Sequence, residues 1–464
     1  MANLLIYIFI LTIIHSILFF NNSLGVNVIL FTIPLLIFIF YVLKSNKKIK
    51  NKKGLLFIIP IVLLSCTYFY YNNIFRLFNI IIIPILYILM YIYVIEPEYQ
   101  LRRVFINIMN LLFEPFDCIG KLYRLIKIAL DKKLRLSNTN KKKIKSILVV
   151  IPVVIIVLLL LSSADMMFKS LFSSIHINIS VGNLIGRIIL GIIVFTYIGS
   201  QINYLLFTYK KEKDEELNKI KVEGYTVKLL LTILNIIYVV FIVIQVRSLL
   251  LHNVSKSINY AEYARSGFFE LMFISLINLI ILLVSKNSKE TKYNKVMSII
   301  MVVFTLLIIL TSAYRMYLYE SAYGYTLLRL LVYVTLGTEA ILLIPTIMYI
   351  LNSKLKILNY YMIIVISMYT IINLISFDKV IAYRNVNRYY STNKIDIDYL
   401  ENGYTDNIPY LYDLYDKTND VEIRNELEYY IKKLYKENKI DNIFEYNISK
   451  EKSRKIISKE FIFS

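Results

Sequence analysis

Glu262 and Arg265 stand three residues apart, so on a helix they share a face, with Glu270 about two turns further on. Asp165, Arg247, Arg315, Glu320 and Arg329 extend this set of carboxylates and guanidinium groups within or beside long apolar runs. A guanidinium presents a planar fork to carboxylate or phosphate and is less strongly hydrated than an ammonium. Two chemistries fit: two-point binding of an anionic ligand, such as a lipid headgroup or anionic polymer, or internal Arg–carboxylate pairing that holds helices together. Asp165 and Glu262 also carry the groups of an acid–base pair. Two further groups lie deep. Glu339 falls thirteen residues into the run 326–350, about 20 Å below its start, and His15 is near the middle of the run 4–20. A buried carboxylate with a His partner could relay protons; a neutral, hydrogen-bonded carboxyl is the plainer alternative. Arg187 lies about one turn inside the run 182–207.

No nucleotide loop, zinc-helix motif or nucleophile elbow occurs in the sequence. Three His and two Cys leave little for a zinc site, and Cys66, in an apolar run, has no plausible disulfide partner in Cys118, in a basic loop. No metal and no cofactor is expected.

The elements that must position these charges are membrane helices. The chain has 464 residues, 58% of them hydrophobic, and apolar runs near 20 residues long recur along most of it. Such runs cross a bilayer as helices, and they lack the alternation of barrel strands. Eleven are read, over 4–20, 25–43, 54–70, 74–95, 145–162, 182–207, 226–250, 267–285, 293–313, 326–350 and 355–376. The fold class is therefore all-α, a polytopic helical membrane protein with about 11 transmembrane helices and a small helical extracytoplasmic C-terminal region.

Basic residues orient it. Thirty of the 53 Lys and Arg lie in every second gap, and 26 of those thirty are Lys. The intervening gaps and the span ends facing them hold eight, six of them Arg. Short cytoplasmic loops collect Lys and Arg, so the N-terminus is placed in the cytoplasm and the C-terminus outside a bacterial plasma membrane. The same rule explains the net charge of +21 without nucleic acid, since the tail from Ser376 carries 15 basic and 16 acidic residues. The abundance of Ile, Lys, Asn, Tyr and Phe fits an AT-rich genome. With no Trp and 40 Tyr, Tyr must supply the interfacial belt, and the two outer gaps that carry these charges hold seven Tyr between Tyr260 and Tyr325.

Four regions result: residues 1–95, a four-span N-terminal region whose first span reads as an uncleaved helix; 96–144, a basic amphipathic cytoplasmic loop; 145–376, a seven-span core; and 377–464, the tail. In the tail, one helical pattern follows Asp406 and a second follows an Asn419–Asp420 capping signal, and the pair needs another surface to bury its apolar face. Gly324 permits a tight turn into the run at 326, with Thr326 as its N-cap.

Several ordered blocks carry a family resemblance. They are Leu161-Ser162-Ser163-Ala164-Asp165 with Phe168, Gln245 with Tyr260 through Glu270, and Arg315-Met316-Tyr317-Leu318-Tyr319 through Tyr323-Gly324-Tyr325-Thr326 to Arg329. The last is Asn385-Val386-Asn387-Arg388-Tyr389 with Asp398-Tyr399-Leu400. Over about residues 145–415 the chain resembles the DUF4173 family of bacterial membrane proteins, related to DUF4153. It departs from the pattern at Met166, where the family often has Pro. The resemblance implies a multi-pass membrane protein and no particular activity. The leading reading is non-enzymatic transport or binding of an anionic, lipid-linked or envelope molecule at the outer face; the alternatives are a sensor or complex subunit with a membrane partner, and a membrane enzyme with outward carboxylates. Membrane lipids are the expected surroundings in each.

Overall fold

The computed structural model describes residues 2–95, 181–204, 223–245, 268–286, 291–352, 354–401, 403, 405–440 and 442–461. Among them there are helices and turns and no β-strand. The helices are α1 (Ala2–Phe19), α2 (Val26–Ser45), α3 (Ile58–Tyr70), α4 (Phe75–Ile95), α5 (Val181–Asn203), α6 (Gly224–Gln245), α7 (Phe268–Ser285), α8 (Lys292–Tyr323), α9 (Leu327–Leu351) and α10 (Ile357–Asn373). Five more follow: α11 (Phe377–Thr392), α12 (Ile397–Glu401), α13 (Ile408–Lys417), α14 (Val421–Glu437) and α15 (Ile448–Phe461).

Among the described residues, eight helical segments are long and apolar enough to cross a membrane, or nine if α10 and α11, bent by 58°, count as one span. Helix α1 is apolar but shorter. The expected span 145–162 and the loop 96–144 lie outside the described residues.

The chain divides into two compact units. The first comprises residues 1–62, 84–211 and 442–445. Here α1 packs on α2 and α5, with Ile8, Leu11, Phe38, Val42 and Ile202 buried among them. The turn after α1 is set by Asn27, which is fully buried. Its carbonyl oxygen accepts from the Gly25 amide, and its amide donates to the Leu18 and Ser23 carbonyls. Those bonds satisfy backbone groups that a helix end leaves open. At Gly54 the chain lies against α4. A Cβ there would stand 2.5 Å from the Val94 nitrogen, while the Lys50 and Asn51 amides donate to the Val94 carbonyl.

The second unit comprises residues 63–83, 212–441 and 446–464. Its membrane part is a bundle in which α8, 32 residues long, packs against α6, α7 and α9. Leu231, Leu282, Met301, Ile308 and Leu336 fill the core. Outward faces are as apolar as the core: Ile236, Val240 and Val243 on α6, and Ile277 and Ile280 on α7, are exposed. In a bilayer apolar contact does not distinguish inside from outside, so small and polar side chains mark the packed face. Asn235, Ser275, Asn278, Thr305 and Ser312 are all buried.

A second core in the same unit joins the C-terminal helices to neighbouring spans. Ile408, Leu411, Leu414, Leu427 and Ile431 are fully buried, together with Phe75 of α4, Ile372 of α10 and Ile381 of α11. The fastening is polar. Asn447 donates to the Tyr68 and Tyr71 carbonyls at 2.7 and 2.8 Å. Asn72 donates to Thr405 at 3.0 Å, and Ser376 donates to Asp406. Between α4 and α10, Asn79 donates to Asn373 at 2.8 Å and accepts from the Tyr369 hydroxyl at 2.7 Å. Asp420 caps α14, accepting from the Glu422 and Ile423 amides. The basic segment after Asn447, which shows little pattern, folds as α15 and buries Ile457.

Candidate functional site

The turn between α8 and α9 brings together Glu320 and Arg329 from the candidate set. Gly324 has φ 85° and ψ −173°, a conformation essentially restricted to glycine. A Cβ on it would lie 2.6 Å from the Asn385 side-chain oxygen. That oxygen accepts from the Tyr325 amide at 2.9 Å, and the Asn385 amide donates to the Tyr325 carbonyl at 2.8 Å. One side chain on α11 thus holds both backbone groups of a residue sixty positions earlier. Arg388, one turn along α11, donates to the Ala322 carbonyl at 2.7 Å.

The N-terminus of α9 differs from the sequence expectation in one detail. Thr326 occupies the N-cap position, but its side chain makes no capping bond. The Tyr399 hydroxyl, on α12, accepts from the Leu327 amide at 2.7 Å instead. Burial raises the Tyr399 hydroxyl above the usual phenol range, so it stays a neutral acceptor.

The charged side chains fill in around this clamp. Arg329 donates to the Gly324 carbonyl and lies 4.3 Å over the Tyr319 ring. Glu320 is 5% exposed; it faces the hydroxyls of Tyr325 and Tyr333, with Arg329 and Arg384 as nearby positive charges. Arg315 is buried and donates to Gln245 at 2.9 Å, tying α8 to the end of α6. Glu270 is exposed in the first turn of α7. Asp165, Arg247, Glu262 and Arg265 lie outside the described residues.

Deeper in the same bundle, Glu339 is 1% exposed and accepts from the Ser275 hydroxyl through one oxygen; its other oxygen has no hydrogen-bond partner among the described residues. One turn along α7, Asn278 accepts from the Tyr238 hydroxyl at 2.7 Å and donates to Thr305 at 3.0 Å. Thr305 in turn donates to the Met301 carbonyl. At the start of α7, Ser312 donates to the Phe268 carbonyl at 2.9 Å. Sequence reasoning missed Ser275 as the partner of Glu339, although a signal for the polar face was present. Ser275 and Asn278 are three apart, and Ser298, Thr305 and Ser312 recur every seven, which is one face of a helix.

In the first unit, the His15 ring sits between Phe19 and Phe31, with centroids at 4.8 and 5.1 Å. Arg187 is exposed and lies 5.2 Å over the Phe20 ring. Each thus has aromatic neighbours of its own.

These arrangements do two things chemically. The turn brings a buried carboxylate, guanidinium groups and a side-chain amide close together, and the bundle holds one buried carboxyl group beside buried Ser, Asn and Thr side chains. Among the described residues, no group of His, Cys, Asp and Glu is placed to hold a metal ion.

No curated protein and no solved structure matches the chain. A family model described as a domain of unknown function, DUF4153, matches residues 58–414. The match begins at α3, well before the blocks on which the resemblance rested. It runs through the bundle, the Gly324 turn and Asn385, and ends within α13. Because it covers most of the sequence, the chain belongs to the DUF4153 family.

Proposed function

We propose that this protein is a membrane sensor or complex subunit that couples its C-terminal helices to the α6–α9 bundle. In this reading it is an eleven-span protein of a bacterial plasma membrane, with its N-terminus in the cytoplasm and its C-terminal region outside. Within the family, its blocks fit the DUF4173 branch. The observation that carries the reading is the Asn385 clamp on Tyr325. It joins α11, and through it the second core, to the residue just before the N-cap of the helix that bears Glu339. A displacement of α11 is delivered to α9 by hydrogen bonds rather than through a loose loop.

The partners of the described arginines favour this over two-point binding of an anionic molecule. Arg315, Arg329 and Arg388 donate to Gln245, the Gly324 carbonyl and the Ala322 carbonyl. Guanidinium forks used in this way organise a junction. The enzymatic reading rests on Asp165 and Glu262, outside the described residues.

The test is hydrogen exchange on the full chain in lipid nanodiscs, comparing wild type with Asn385→Leu. Two hydrogen bonds of about 1 kcal/mol each are lost, so opening of the turn should rise roughly tenfold or more. If the protein relays, faster exchange extends along α9 to Glu339 and into α7 around Ser275. Faster exchange confined to 322–328 and α11 would sink the relay reading.

A further inference from the structure

A pocket of about 170 Å³ opens at the opposite end of the bundle, where α7 ends, α8 begins and α9 ends. Lys286, Lys292 and Lys295 line it, with Thr291, Asn294 and Ser298. Among the described residues that line it there is no carboxylate. Lys286 donates to the Ile350 carbonyl at 3.0 Å and Lys295 to the Leu351 carbonyl at 3.3 Å, at the end of α9. An ammonium carries three N–H donors, so Lys295 is anchored by one and keeps others for another acceptor. A fourth ammonium, Lys228, lies 4.8 Å over the ring of Tyr293, in the first turn of α8.

Two features make this more than a basic surface. The pocket sits at the N-terminus of a 32-residue helix, where open amides and the helix dipole favour an anion. Thr291 caps that end, accepting from the Asn294 amide at 3.1 Å. The second feature is Asn294. Its side chain lines the pocket and is 7% exposed, and neither its oxygen nor its nitrogen has a hydrogen-bond partner among the described residues. A buried amide left unpaired costs about 1–3 kcal/mol. Ser298, one turn on and also buried, adds a hydroxyl to the same face.

We propose that this pocket is a phosphate site. The Lys292 and Lys295 ammonium groups, the Asn294 amide, the Ser298 hydroxyl and the first turn of α8 all border this one pocket, and each offers an N–H or O–H donor to an anion. The phosphate could come from an anionic phospholipid headgroup or from free phosphate, because the recognising chemistry is shared. The proposal does not depend on the relay reading, which concerns the other end of the bundle.

Calorimetric titration of the purified full chain in detergent separates the sources. The probes are dioctanoyl phosphatidylglycerol and inorganic phosphate, with dioctanoyl phosphatidylcholine as the zwitterionic control. Saturable binding of phosphatidylglycerol that millimolar phosphate does not displace assigns a lipid headgroup. Binding of phosphate alone, or displacement by it, assigns free phosphate. In either case Lys292→Gln/Lys295→Gln and Asn294→Leu should each weaken binding about tenfold or more, the loss of one charge-assisted bond. Circular dichroism melts check that these variants fold. Should they not fold, wild-type affinity must fall steeply as salt rises from 50 to 500 mM, as screening requires. The idea is overturned if neither probe binds saturably, if folded variants bind as wild type does, or if affinity ignores salt.

Discussion

Gly324 is the residue on which the α8–α9 junction depends. Its backbone conformation costs a side-chain-bearing residue of order 1–3 kcal/mol, and a Cβ there would also collide with the Asn385 oxygen. Gly324→Ala should therefore destabilise the protein by about 2–3 kcal/mol, read as a lower melting midpoint by circular dichroism in detergent. Gly337, in the middle of α9, is the control. A Cβ there meets nothing within 4 Å, so Gly337→Ala should be neutral or stabilise by roughly 0.5–1 kcal/mol. Equal losses from both would refute this account of the turn. The preference for Arg over Lys in the gaps poor in Lys has its reason at the same scale. Arg329 reaches a carbonyl and stacks on a ring at once, which an ammonium's point charge and round hydration shell do poorly.

At the scale of elements, the spans were plain in the sequence and their partners were not. An apolar run of about 20 residues must become a helix in lipid, whatever it packs against. Pairing is a different matter. Nothing in the local pattern ties Tyr325 to Asn385, because hydrogen bonds between turns sixty residues apart leave no periodicity. The resemblance singled out both blocks without showing that they touch. Helix α15 was missed for a related reason. It is charged around most of its circumference and is held by Asn447, Ser449 and Ser453, polar residues that read as surface. Asn447 carries a prediction about this element. Asn447→Ala leaves the Tyr68 and Tyr71 carbonyls without that donor, at about 1–3 kcal/mol for each. Trypsin should then cut within α14 and α15 about tenfold faster or more, with the α6–α9 fragment still resistant. Unchanged cleavage would mean the apolar core alone holds the region.

For the molecule as a whole, the asymmetry of Lys and Arg makes the sharpest claim. A reporter active only outside the cytoplasm should work when fused after Ser376 and fail after Ser288. The reverse pattern would exchange the two sides and put the phosphate pocket in the outer leaflet.

The length of α8 adds a mechanical consequence. Its apolar stretch ends near Ala313, and ten more residues, Tyr314 to Tyr323, continue as helix. At 1.5 Å per residue that is about 15 Å of helix beyond the apolar stretch. A span meets a thinner bilayer by tilting, and tilting a rod swings its overhanging tip furthest. The Asn385 clamp is fastened at that tip, so bilayer thickness enters as a load on two hydrogen bonds.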